Sequence, residues 1–192
     1  MDIPTFTYFL LTVCLIIVPC THSSYEQAEL EGWKTYVDPE KKFTLFYPPE
    51  WTAKGKENFL STTDLTLTNP KFERPFQVTI TYILNDSSIT NRTQQVAPEN
   101  NLIYLENQMK PSYQGYNIVT KNPENYSIYG FPTASDVADY RKHSGETGRV
   151  LHVDAIINNK NSLLLSYFNN VENFYRQLPI IKSIINSIII LK

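Results

Sequence analysis

The side chains in this sequence best spaced for chemistry are His152-x-Asp154. Alternation along a strand sends both to one face and leaves Leu151, Val153, Ala155 and Ile157 on the other. An imidazole beside a carboxylate can share a proton or ligate a metal ion. Two ligands do not complete a metal site, and the remaining histidines are His22 and His143. His152 and Asp154 are therefore candidates for a metal or acid-base role, against the default of a cross-strand polar pair on the less buried face. His143 next to Ser144 invites a hydrolase reading, but the local sequence, Lys142-His-Ser-Gly-Glu-Thr-Gly148, lacks the Gly-x-Ser-x-Gly elbow and reads as a hairpin turn. The six glycines, at 32, 55, 115, 130, 145 and 148, form no phosphate-cradling loop, which argues against nucleotide catalysis. No cofactor is implied.

Both cysteines, Cys14 and Cys20, lie in the first 24 residues, so the rest of the chain has no disulfide, thiolate metal site or cysteine nucleophile. From 6 to 18 nearly every residue is apolar. That run is shorter than the roughly 20 residues of a spanning helix and suits the core of a signal peptide. Residues 1–23 are expected to be that signal and 24–32 a linker. Residues 1–5 carry no Lys or Arg, a departure from the usual charged start, which keeps a retained membrane anchor open. Cys20 follows Leu15-Ile-Ile-Val-Pro19, and an aliphatic run ending in Cys resembles a lipoprotein attachment signal. Pro19 stands where that signal prefers a small residue, and ordinary cleavage after Cys20 or Ser23 is the alternative. Three sequons, at Asn85, Asn91 and Asn125, are candidate glycosylation sites in an exported protein. With 17 Asn and 31 Ser plus Thr, about three would arise by chance, so their number carries no weight.

The elements that must position these groups fit one domain over 33–192. The chain has 192 residues, 42% hydrophobic and 19% charged, which suits a folded domain with a real core. A formal charge of -2 implies neither nucleic acid nor an anionic membrane surface. Residues 43–47 are apolar on both alternating faces, as in a strand covered on two sides, and Pro48-Pro49 ends it. Leu65 and Leu67 alternate with threonines, and 76–84 is the cleanest strand pattern in the chain. Pro98 opens a helix with Leu102, Leu105 and Met109 on one face, stopping near Pro111. Strands are expected over 116–120, 126–132, 135–142, 149–157 and 162–168, joined as antiparallel hairpins. A helix over 171–185 turns Phe174, Leu178, Ile181 and Ile185 inward, Pro179 is expected to kink it, and 187–191 closes the chain as a strand. Tyr104, Tyr113, Tyr116, Tyr126 and Tyr129 gather in sequence near the first helix and are a candidate surface patch.

Trp33-x-x-Tyr36, Phe43-Thr-Leu-Phe-Tyr47-Pro48-x-x-Trp51, Gly130-Phe-Pro132 before a strand, and Leu178-Pro179 followed by Ile184-Ile-x-Ser187-Ile together resemble the PsbP-like family, over about 31–192. The resemblance implies an α+β fold in which an antiparallel β-sheet is sandwiched by helices. It also implies an exported accessory protein: plant and cyanobacterial members help photosystem II retain calcium and chloride, and many relatives are exported proteins or lipoproteins. The matching positions are core and turn positions, so no ion-binding residue carries over, and calcium enters by family analogy alone.

The expected function is therefore an exported, membrane-tethered binding or accessory module without catalytic activity, serving an unidentified membrane-associated complex and not nucleic acid. A secreted enzyme using His152 and Asp154 is the alternative from another class. A carrier of an apolar ligand is the third, and it requires a cavity between the Ile-rich last helix and the sheet.

Overall fold

Tyr47-Pro48-Pro49-Glu50-Trp51 is a tight reversal. The Trp51 N–H donates to the Pro48 carbonyl at 3.1 Å, and the turn drives the indole into the core, where it is 1% exposed. The computed structural model describes residues 30–56, 63–70, 77–84, 97–158 and 161–191. The expected signal peptide with Cys14 and Cys20, most of the linker, and the sequons at Asn85 and Asn91 lie outside these residues. Gly32–Lys192 forms one compact unit. Among the described residues no helix is long and apolar enough to cross a membrane.

In chain order the elements are β1 (Lys34–Val37), β2 (Phe43–Tyr47), β3 (Thr52–Gly55), β4 (Thr63–Thr68), β5 (Gln77–Leu84), α1 (Pro98–Ser112), β6 (Gln114–Lys121), β7 (Thr133–Arg141), β8 (Thr147–Asn158), β9 (Asn161–Asn169), α2 (Val171–Asn186) and β10 (Ile189–Ile190). They build two antiparallel sheets where the sequence suggested one. The large sheet runs β3-β4-β5-β9-β8-β7-β6, and the small one β1-β2-β10. β3, β4 and β5 form a meander, the chain crosses through α1 to the far edge at β6, and hairpins return it until β9 pairs with β5. α1 packs on β6, β7 and β8, and α2 packs on β8, β9 and β2. The large sheet is thus covered by α1 on one face and by α2 with the small sheet on the other. This is the sandwich expected from the sequence.

The α2 face is the apolar core. Phe174, Ile181, Ile184 and Ile185 of α2 bury completely against Leu151, Val153, Leu163, Leu165, Phe43 and Leu45. Asn170 caps α2 by accepting a hydrogen bond from the Asn173 N–H at 2.8 Å, and the helix is continuous through Pro179. At its end Ser187 clasps α2 to β2 of the small sheet. Its hydroxyl donates to the Ile184 carbonyl at 2.7 Å and accepts from the Phe46 N–H at 2.9 Å, joining residues 141 positions apart. This explains the serine in the C-terminal motif, and it places Ile189 and Ile190 in register with Thr44 and Phe43.

One expected strand is absent. Residues 126–132 instead form a reversal in which Tyr129 and Gly130 both have positive φ, 48° and 77°, and the Phe131 N–H donates to the Ile128 carbonyl at 2.9 Å. Two consecutive left-handed residues turn a chain back on itself, so the aromatic run cannot extend. Thr133 ties the reversal down by donating to the Tyr126 carbonyl at 2.7 Å, and β7 starts there.

Ser187→Ala leaves the Phe46 N–H without its acceptor and is expected to lower the unfolding free energy by about 1–2 kcal/mol. Urea unfolding of the two proteins measures this; an unchanged midpoint refutes the clasp.

Candidate functional site

Strand parity sorts the central strands into two unlike faces. On the α2 side β8 and β9 present Leu151, Val153, Ala155, Leu163, Leu165 and Tyr167. On the α1 side β7, β8 and β9 present Asp136, His152, Asp154, Ser162 and Ser166 among smaller apolar clusters. Both faces of β8 are buried, so the less buried face expected for His152 and Asp154 is not found: they are 1% and 0% exposed. The reason is α1, whose Leu102 packs on Ala134 and Leu164 while the neighbouring Asn101 reaches the sheet.

Each candidate is held by a different partner. His152 Nδ1 meets the Ser166 hydroxyl at 2.9 Å across the β8–β9 pair, and the ring lies edge-on to Phe168 at 6.1 Å. Asp154 Oδ2 accepts from Asn101 Nδ2 of α1 at 2.9 Å. Burial pushes the His152 pKa down from 6.5 to about 3, so the ring is neutral at pH 7. Burial pushes the Asp154 pKa up from 3.8 to about 7, against the counter-pull of Asn101 and Ser162. Among the described residues no group of three or more His, Cys, Asp or Glu is placed to hold a metal ion.

A second buried acid on this face was not singled out from the sequence. Asp136 sits opposite His152 in the β7–β8 register and opposite Lys121 in the β6–β7 register. It is 4% exposed, its Oδ1 has no hydrogen-bond partner, and burial followed by the charge of Glu106 pushes its pKa up from 3.8 to about 7. Unlike His152 and Asp154 it borders open space, a cleft of about 80 Å³ between α1 and the β6–β7 edge. The available signal was an acid inside the small-residue alternation Ala134, Asp136, Ala138.

The other sequence candidates are dispersed. His143 and Ser144 occupy the exposed β7–β8 turn, where Gly145 has a φ of 87° and its N–H donates to the Lys142 carbonyl at 2.9 Å. Asn125 is exposed in the loop after β6. The five tyrosines do not make one patch. Tyr116 belongs to the α1-side cluster and Tyr126 to the α2-side core, Tyr113 packs on Tyr140 at 4.9 Å, and Tyr104 and Tyr129 are exposed. The Ile-rich face of α2 is part of the continuous core, and the Asp136 cleft is lined from the opposite face of the sheet.

The buried acids and the buried histidine have opposite linkage to pH. Between about 4 and about 7 the folded protein keeps protons on Asp136 and Asp154 that the unfolded chain releases, so their effect is a stability that falls as pH rises. For His152 the unfolded chain binds the extra proton, so its contribution is complete above about 6.5 and is lost as pH falls toward 3. Asp154→Asn keeps the shape and removes one acid. Its stability at pH 7 relative to pH 4 is expected to exceed the wild-type difference by up to about 4 kcal/mol. Urea unfolding across that range tests it, and parallel pH profiles for the two proteins would overturn the assignment.

No protein-family model matches the sequence, and no curated protein matches it. Solved structures do. Cyanobacterial PsbP (CyanoP) from Synechocystis sp. PCC 6803 superposes with a TM-score of 0.57 at 11% identity, covering 82% of this chain and 92% of that one. LpqN of Mycobacterium tuberculosis, described as involved in cell envelope biogenesis, gives 0.58 at 12% identity over 83% and 91%. The Ran-binding protein Mog1p of Saccharomyces cerevisiae gives 0.56 at 8% identity over 82% and 95%. At such identities the likeness concerns architecture: an antiparallel sheet between helices, in the order read above, gives this chain the PsbP-like fold.

Proposed function

We propose that this chain is a non-catalytic binding module, exported and tethered at a membrane, that serves a membrane-associated protein complex. The observation that carries the non-catalytic part is the separation of the two groups that would do acid-base chemistry. His152 is neutral and bonded to Ser166, Asp154 is bonded to Asn101, and both are sealed under α1. A general acid or base has to reach its substrate within hydrogen-bond distance, and neither group borders the cleft beside Asp136. Proteins of the same fold support a binding role: one is a Ran-binding protein, and another is involved in cell envelope biogenesis. Export rests on the apolar run over 6–18, and tethering on Cys20 at its end.

The mass and N-terminal peptide of the protein purified from its host's membrane and soluble fractions test the reading. A lipid-modified Cys20 in the membrane fraction is the expected result. An unmodified N-terminus near Thr21 or Ser24 in the soluble fraction overturns the tether.

A further inference from the structure

We infer that the cleft between α1 and the β6–β7 edge is a binding site for an organic cation, an alkylammonium or guanidinium head on a short apolar stem, with Asp136 as its anchoring carboxylate. The inference rests on the reading of the chain as a binding module and is independent of export and tethering.

Three features of the cleft specify this chemistry. Asp136 lines the cleft, and its Oδ1 is buried without a hydrogen-bond partner; a turn of the carboxylate about χ2 exchanges its two oxygens, so a donor in the cleft can satisfy a group that folding left without one. The α1 wall adds two more carboxylates, Glu99 and Glu106, the latter ion-paired to Lys110 at 2.8 Å. Leu102, Ile103 and Ala134 supply apolar surface beside the acids, and Ile103 is 49% exposed. The volume of about 80 Å³ holds two or three water-sized groups of roughly 30 Å³ each, which matches a cationic head and its first methylenes. A metal ion fits less well, because no cluster of three ligating side chains is present among the described residues.

The groups facing Asp136 set the pH behaviour. Glu106 from α1 raises its pKa, Lys121 from β6 lowers it, and Tyr116 lies close enough on β6 for the Asp136 charge to raise its own pKa. His152 from β8 is neutral throughout this range. A bound cation stabilises the ionised carboxylate, so it must displace a proton below pH 7 and binds more weakly there. Lys121 is a rim cation that competes for the same acid.

The test is an NMR titration of the full chain with n-butylammonium, n-butylguanidinium and an N-acetyl-lysine amide, one unit above and one unit below the Asp136 pKa of about 7. Sodium and tetramethylammonium at equal ionic strength are the controls. Expected are saturable shifts at Asp136, Ser135 and Leu102 at the higher pH and about tenfold weaker binding at the lower one. Asp136→Asn, whose folding the same spectra report, should abolish the shifts, and Lys121→Gln should strengthen binding. Binding of the lysine amide in preference to the free amine assigns the site to a partner's side chain; equal binding assigns it to small amines. Shifts that persist in Asp136→Asn, that tetramethylammonium reproduces, or that never saturate overturn the inference. A chain that is lipidated at Cys20 yet gives those results loses the site alone, and one that binds the amine but is unmodified loses the tether alone.

Discussion

Everything else in this fold depends on the complete burial of β8. From Val150 to Ile156 each of its residues is covered, so both faces of the sheet need a lid, and the chain supplies one from each side of the sequence. A strand buried on both faces usually reads as a continuous apolar run. This one carries His152 and Asp154 instead, and their burial fixes what α1 must be. The helix has to bring Leu102 for the apolar positions and Asn101 for the carboxylate, one residue apart on its inner side. Leaving either polar group without partners would cost more than a mismatched packing contact.

The two faces divide the labour of the fold. The α2 face contains apolar side chains that pack without orientational demands, and it gathers the small sheet, Trp51 and the Ser187 clasp into one core. Edge contributions there are polar but local. Arg149, for instance, grips Asp139 through two nitrogens at 2.6 and 2.9 Å and lies over the Tyr175 ring at 5.1 Å. That bidentate, stacked geometry ties the β7–β8 pair to α2, and an Arg to Lys exchange would not reproduce it. The α1 face works under the opposite regime. Its stability is conditional on protonation, since burial pushes the pKa of two carboxyl groups there up to about 7 and keeps one imidazole uncharged.

What the sequence disclosed follows this division. The apolar face was legible because its information is periodic: Phe43 and Leu45, Leu65 and Leu67, Leu151 and Val153, and Phe174, Ile181 and Ile185 of α2 all repeat at strand or helix spacing and all are buried, with Leu178 half-buried beside them. The PsbP-like resemblance rested partly on these positions, Phe43 and Leu45 and the Ile-rich end of α2, and the fold agrees with it. The polar face was misread because burial of a polar side chain depends on what a distant element brings. Nothing near His152 announces that a helix beginning at Pro98 and ending at Ser112 will seal it. The strand assigned to 126–132 failed for a local reason, the paired positive φ values of Tyr129 and Gly130, which β-prone aromatic composition conceals. Asp136 was overlooked because an isolated acid between two alanines has no motif, although its parity placed it on the same row as His152.

The motifs that carry the resemblance also explain why it stops at the fold. Trp51 is delivered by the Pro48 turn, Gly130 enables the reversal before β7, and Ser187 fastens α2 to β2; each solves a problem of chain geometry. The architecture itself tolerates wide change of sequence, since the solved structures that share it are only 8–12% identical to this chain. None of these residues borders the Asp136 cleft. The positions that define the scaffold and those that could recognise a ligand are therefore separate sets, on opposite faces of the sheet for the most part. Function on such a scaffold is free to diverge without cost to folding, and it has to be read from the polar face of each chain.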